Sequence, residues 1–129
     1  METAKLRRRI VILGAGFGGL STAVRLAERV DLDSCDCEIV VIDKSTHHLY
    51  RPWLYEVATG DAPEAQLKTG VATPYEDLKT HLGASDVRVE YQEVIGVDRA
   101  AKEVRLADGR SLAYDHLVVA VGAIPDFYG

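Results

Sequence analysis

Ile10-Val11-Ile12-Leu13-Gly14-Ala15-Gly16-Phe17-Gly18-Gly19-Leu20 is the stretch whose reading decides the fold. It opens as an apolar run, breaks into closely spaced glycines, and resumes with helical periodicity at Leu20, Ala23, Val24 and Ala27. Gly14, Gly16 and Gly19 match the G-x-G-x-x-G spacing of a dinucleotide fingerprint. Gly14 permits a tight strand-to-helix turn. Gly16 lets a pyrophosphate approach the backbone, and Gly19 lets the helix pack closely on the strand. The helix N-terminus then offers N–H groups and the positive end of a dipole to the phosphates.

Working outward, Arg9 to Leu13 predicts a strand buried on both faces of a parallel sheet, because it is continuously apolar after the arginine. The periodicity predicts a helix from about Phe17 to Arg29, and Val30 to Cys37 is polar and connects. Glu38 to Asp43 predicts the second strand, apolar from Ile39 to Ile42 and ending on an acid. Asp43 lies 24 residues beyond Gly19, near the position of the ribose-binding acid in a βαβ unit. A carboxylate there accepts from both ribose hydroxyls and disfavours a 2′-phosphate.

Composition narrows the class. The 129 residues suffice for one core, and 27% charged with 47% hydrophobic residues is ordinary globular usage. A net charge of −5 argues against a nucleic-acid partner. No apolar run approaches the roughly 20 residues of a membrane span. Arg7-Arg8-Arg9 precedes a short, glycine-broken run, which makes it a solvated flank rather than a signal peptide. Cys35 and Cys37 are too close for an ordinary structural disulfide and complete no zinc site, so they read as loop thiols in a reducing compartment. His47 and His48 are adjacent in an extended segment and point apart, which disfavours a metal role.

Lys44 to Gly60 is aromatic-rich, with Tyr50, Trp53, Tyr55, Arg51 and Glu56, and follows a parallel strand where such folds place ligand contacts. Pro52 could open a short helix there and Gly60 close it. Asp61 to Val71 is a polar connection. Thr73-Pro74-Tyr75-Glu76 predicts a capping box with proline at the first helical position, ending near Leu82 and Gly83, with Leu78 and Leu82 facing the core. Val87, Val89, Tyr91, Val94, Val97, Val104, Leu106 and Leu112, with a turn at Asp108-Gly109, predict an antiparallel ribbon. Leu117 to Ala123 is continuously apolar apart from Gly122 and predicts a further buried parallel strand.

Together these stretches resemble the N-terminal part of a flavin-dependent pyridine-nucleotide oxidoreductase, and most closely the type II NADH dehydrogenases. The resemblance rests on Arg9–Gly19, Ile39–Lys44, His48–Gly60 and Tyr114–Ala123. Only His48-Leu49-Tyr50-Arg51-Pro52-Trp53-Leu54-Tyr55-Glu56-Val57-Ala58-Thr59-Gly60 points to the quinone-reducing branch, and Trp53 stands where that branch more often has an aliphatic residue.

The resemblance implies an α/β fold: a Rossmann-like parallel sheet with flanking helices and a small antiparallel ribbon. It implies FAD on Gly14, Ala15, Gly16, Phe17, Gly18, Gly19, Asp43, Lys44, Arg51, Pro52, Leu54, Val94, Ala120 and Gly122, with the Val94 backbone meeting the adenine. Glu56 would line the quinone end of the site, and no side chain is assigned a catalytic role. Residues 1–129 would then be the N-terminal portion of an FAD-binding domain, since the family continues with an NADH domain, the rest of the flavin domain and a membrane-docking region.

The whole protein would pass electrons from NADH through FAD to quinone, cytoplasmic and peripheral on the cytoplasmic face of the membrane. This portion alone would be inactive, and apolar surface left uncovered would allow a homodimer. Three other readings stay open: a stand-alone nucleotide-binding module without catalysis, another flavin-dependent pyridine-nucleotide oxidoreductase, and an NAD-binding dehydrogenase domain. The ribbon followed by a glycine-ended strand counts against the last.

Overall fold

The computed structural model describes residues 7–32, 34–49 and 72–123. In chain order its elements are β1 (Arg8–Leu13), α1 (Phe17–Arg29), β2 (Cys37–Asp43), β3 (His47–Leu49), β4 (Ala72–Pro74), α2 (Tyr75–His81), β5 (Arg88–Tyr91), β6 (Val94–Asp98), β7 (Glu103–Leu106), β8 (Ser111–Ala113) and β9 (His116–Val119). A four-stranded parallel sheet runs in the order β5-β2-β1-β9. A three-stranded antiparallel ribbon, β6-β7-β8, and a short β3-β4 pair complete the strands among the described residues.

The continuous apolarity of β1 and β2 has a direct cause. Successive side chains point to opposite faces, and both faces are covered. Ile12, Ile39 and Val41 pack with Ala15, Ala23, Tyr75, Ala84 and Val87 on the helix side. Val11, Leu13, Val40 and Ile42 pack with Val104 and Leu106 of the ribbon on the other. The result is three layers: helices, parallel sheet, ribbon. α1 lays Ala23 onto the sheet, with Val24, Leu26 and Ala27 partly buried beside it, and a large aliphatic fully buried in such a layer contributes about 1.5–3 kcal/mol. Arg29 in its last turn complements the negative end of the helix dipole.

α2 ends as a Schellman turn. The Ala84 N–H donates to the Lys79 carbonyl (2.7 Å) and the Gly83 N–H to the Thr80 carbonyl (3.1 Å), with Gly83 at φ +73°. The predicted terminal glycine is therefore in place. The predicted start is not, and of the predicted core-facing pair Leu78 is half-buried while Leu82 is exposed. The helix begins at Tyr75, because Pro74 is held in β4 opposite His47, and the Tyr75 N–H donates to the Thr46 carbonyl (3.1 Å). Tyr75, not Leu82, is the buried anchor; Leu82 sits at the turn, 43% exposed.

Three further expectations are corrected. Arg88–Tyr91 does not belong to the ribbon: it pairs in parallel with β2. An edge strand with one face on the core alternates just as a ribbon strand does. β9 is parallel to β1 as expected but lies at the sheet edge, with Val119 65% exposed rather than buried. Finally, Cys35 and Cys37 are joined as a disulfide rather than standing as two thiols. Asp36 between them takes a left-handed φ of +53°, which turns the chain and sets their Cα atoms 5.3 Å apart. The segment predicted as a short helix from Pro52 to Gly60 lies outside the described residues.

Candidate functional site

The chain runs from β1 through β2 to β5 on one side and returns with β9 on the other side of β1. The order thus reverses at β1, and a crevice at the C-terminal ends of strands at such a point is where open α/β sheets bind ligands. The residues gathered there are those of the glycine stretch, the end of β2 and the segment after β9.

Each glycine has a distinct surrounding. Gly14 turns the chain with φ +94°, and a Cβ on it would collide with the Ala120 carbonyl. A Cβ on Gly19 would collide with the Gly14 carbonyl, so α1 sits directly against the turn. Gly16 is different: a Cβ there would meet nothing within 4 Å. Space therefore stands open beside the cap residue of α1, which makes no side-chain cap hydrogen bond. The first turn of α1 carries no acidic residue to oppose an anion. This is the fit a pyrophosphate requires: a helix N-terminus with room for the backbone to be approached.

Backbone bonds fix the turn between its neighbours. The Gly14 N–H donates to the Ile42 carbonyl (2.8 Å), and the Ala120 N–H donates to the Leu13 carbonyl (2.8 Å). The Asp43 carboxylate accepts twice, from the Ala15 N–H through Oδ2 (2.8 Å) and from the Ser45 N–H through Oδ1 (2.8 Å). Asp43 stands opposite Tyr91 of β5 in register. The Tyr91 hydroxyl donates to Glu76, which also pairs with Lys79 (2.8 Å). This chain ties α2 to the sheet beside the site. Burial, then the Asp43 charge, then Tyr91 raise the Tyr75 hydroxyl above its ordinary value. The Lys79 hydrogen bond lowers Glu76.

Of the predicted site residues, the structure brings Gly14, Ala15, Gly16, Phe17, Gly18, Gly19, Asp43, Lys44, Ala120 and Gly122 to the C-terminal ends of β1, β2 and β9. Gly122, at φ +71°, has open space around it. Val94 begins β6 beside a register irregularity and packs partly against the ribbon-side core. Arg51, Pro52, Leu54 and Glu56 lie outside the described residues. Ser45 was not singled out in the sequence, since only the fold shows that its N–H shares the Asp43 carboxylate.

Residues 8–128 match the sequence profile described as pyridine nucleotide-disulphide oxidoreductase. The chain belongs to that family. Among the family's relatives, it is 38% identical over 126 residues to the type II NADH:quinone oxidoreductase NdhA of Mycobacterium tuberculosis, covering 95% of this chain and 24% of that protein. The chain thus spans about a quarter of the length of that curated relative. The fold is shared with the sulfide:quinone oxidoreductase of Aquifex aeolicus, with a TM-score of 0.77 and 22% identity over 93% of this chain and 25% of that one. It is likewise shared with NDH2 from Plasmodium falciparum in complex with NADH, with a TM-score of 0.72 and 18% identity over 93% of this chain and 23% of that one.

Proposed function

We propose that the chain is the N-terminal FAD-binding portion of a flavin-dependent NADH:quinone oxidoreductase. One observation carries the cofactor assignment: the open space at Gly16, at the start of α1, with the Asp43 carboxylate at the end of the neighbouring strand. The Gly16 backbone and the first turn of α1 would hold the pyrophosphate. Asp43 would accept from the adenosine ribose, Val94 would meet the adenine, and Ala120 and Gly122 would approach from the segment after β9. When bound, FAD supplies the hydride and electron chemistry between NADH and quinone, and the protein supplies binding and orientation.

The quinone assignment rests on resemblance: the His48–Gly60 segment and the similarity to NADH:quinone oxidoreductases. Arg51, Pro52 and Leu54 are proposed beside the flavin and Glu56 at the quinone end. NADH, quinone and docking on the cytoplasmic membrane face belong to the whole protein. Among the described residues no helix is long and apolar enough to cross a membrane.

Equilibrium dialysis of the purified chain against FAD and, separately, NADH tests the reading. Uptake of FAD in preference to NADH is expected, with no NADH:quinone turnover by this portion. Preference for NADH would replace the flavin assignment with an NAD-binding domain.

A further inference from the structure

Asp43 does something in this fold that a ribose acceptor need not do. Its Oδ2 accepts the N–H of Ala15, the residue between the first two fingerprint glycines, and its Oδ1 accepts the N–H of Ser45, just beyond the strand. The preceding residue of β2, Ile42, accepts the Gly14 N–H through its carbonyl (2.8 Å). The end of β2 therefore grips the glycine turn at two successive peptides, one through backbone and one through a side chain. Ala15 is buried and Asp43 half-buried, so that second grip is partly shielded from water and charge-assisted.

We propose that Asp43 is a positioning residue for the phosphate-binding turn, fixing the Ala15 peptide so that Gly16 and the start of α1 are set before a dinucleotide arrives. This rests on the dinucleotide reading above and deepens it. A carboxylate has roughly four lone-pair sites. The two backbone bonds use two, which leaves both oxygens able to accept from a ribose diol as well. One side chain thereby couples the ribose and pyrophosphate halves of the site.

The chemistry also explains why the residue is an acid rather than an amide. Ala15 and Ser45 both present donors, and a carboxylate accepts from both. An asparagine has one acceptor oxygen, and its NH2 would face the other N–H. The turn itself offers little to replace the grip: Gly14 stands at φ +94°, and the cap residue Gly16 has no side chain.

Amide hydrogen exchange, followed by NMR on the ligand-free 129-residue chain, tests this with Asp43→Ala and Asp43→Asn. In Asp43→Ala the Ala15 and Ser45 amides should both exchange about tenfold faster or more, the scale of one lost charge-assisted bond. In Asp43→Asn one of the two should keep its protection. The Val11 and Val40 amides, deep in the sheet, serve as controls and should be unchanged in both. FAD affinity measured by dialysis should fall in the order wild type, Asn, Ala.

Unchanged Ala15 protection in both variants overturns the proposal, even if FAD binding weakens, because that pattern leaves Asp43 a ribose acceptor only. Should Asp43→Ala fail to fold, Asp43→Asn decides: lost protection at one amide of the pair upholds the grip, and full protection at both overturns it. If none of the three proteins takes up FAD, the dinucleotide reading fails on its own, and the exchange pattern still upholds or overturns the grip.

Discussion

Gly16 and Gly19 lie three residues apart, yet they answer to different forces. Gly19 is fixed by packing: a Cβ there would overlap the Gly14 carbonyl. Gly19→Ala should therefore destabilise the fold by about 1–3 kcal/mol or more, read from urea unfolding. Gly16 has open space around its Cβ position and ordinary extended backbone. Gly16→Val should leave unfolding within about 1 kcal/mol of the parent while removing FAD uptake. Undiminished uptake would mean the pyrophosphate sits elsewhere. The spacing of these glycines and of Asp43 was legible because it is local, set by one turn and one βαβ unit. The Ala15 and Ser45 bonds to Asp43 were not. Spacing puts a carboxylate at a strand end but does not say which donors the folded chain turns toward it.

At the scale of elements, β1, α1 and β2 could be read almost to the residue, since both sheet faces are covered and periodicity then has one meaning. The ribbon and α2 were harder. Val87, Val89 and Tyr91 alternate because one face of an edge strand meets the core, and that pattern is shared with a hairpin strand. The packing of the ribbon on the sheet can be tested directly. Leu106→Ala, removing a buried side chain, should cost about 2–5 kcal/mol in urea unfolding. Ile95→Ala, on the exposed side of β6, should stay within about 0.5 kcal/mol. Equal effects would contradict the layer.

The anchor of α2 has its own signature. Tyr75 holds its proton more tightly folded than unfolded. The Tyr75 contribution to stability is then full below the ordinary value of 10.0 and declines as pH rises above it. Tyr75→Phe should make that alkaline decline shallower, with Tyr91 remaining as a second tyrosine raised by burial and by Glu76. An unchanged pH slope would mean Tyr75 is not buried as described.

For the whole molecule, the three layers account for the inner strands, while β9 offers an edge, with Val119 at its end and Val121 just beyond it exposed. An edge of this kind invites association. Sedimentation velocity should show a concentration-dependent dimer that Val121→Lys weakens, and a monomer at all concentrations would contradict this. The fold class was legible because two apolar runs and one glycine turn suffice to specify a parallel sheet with a helix across it. The quinone branch rests on His48–Gly60, whose signal is one of residue identity rather than periodicity. The central claim is that this fold holds FAD at the helix start. It is tested most directly by denaturing the purified chain and recording the visible spectrum of the supernatant. The yellow absorption of released FAD is the expected result; a colourless supernatant from a chain that instead binds NADH would contradict it.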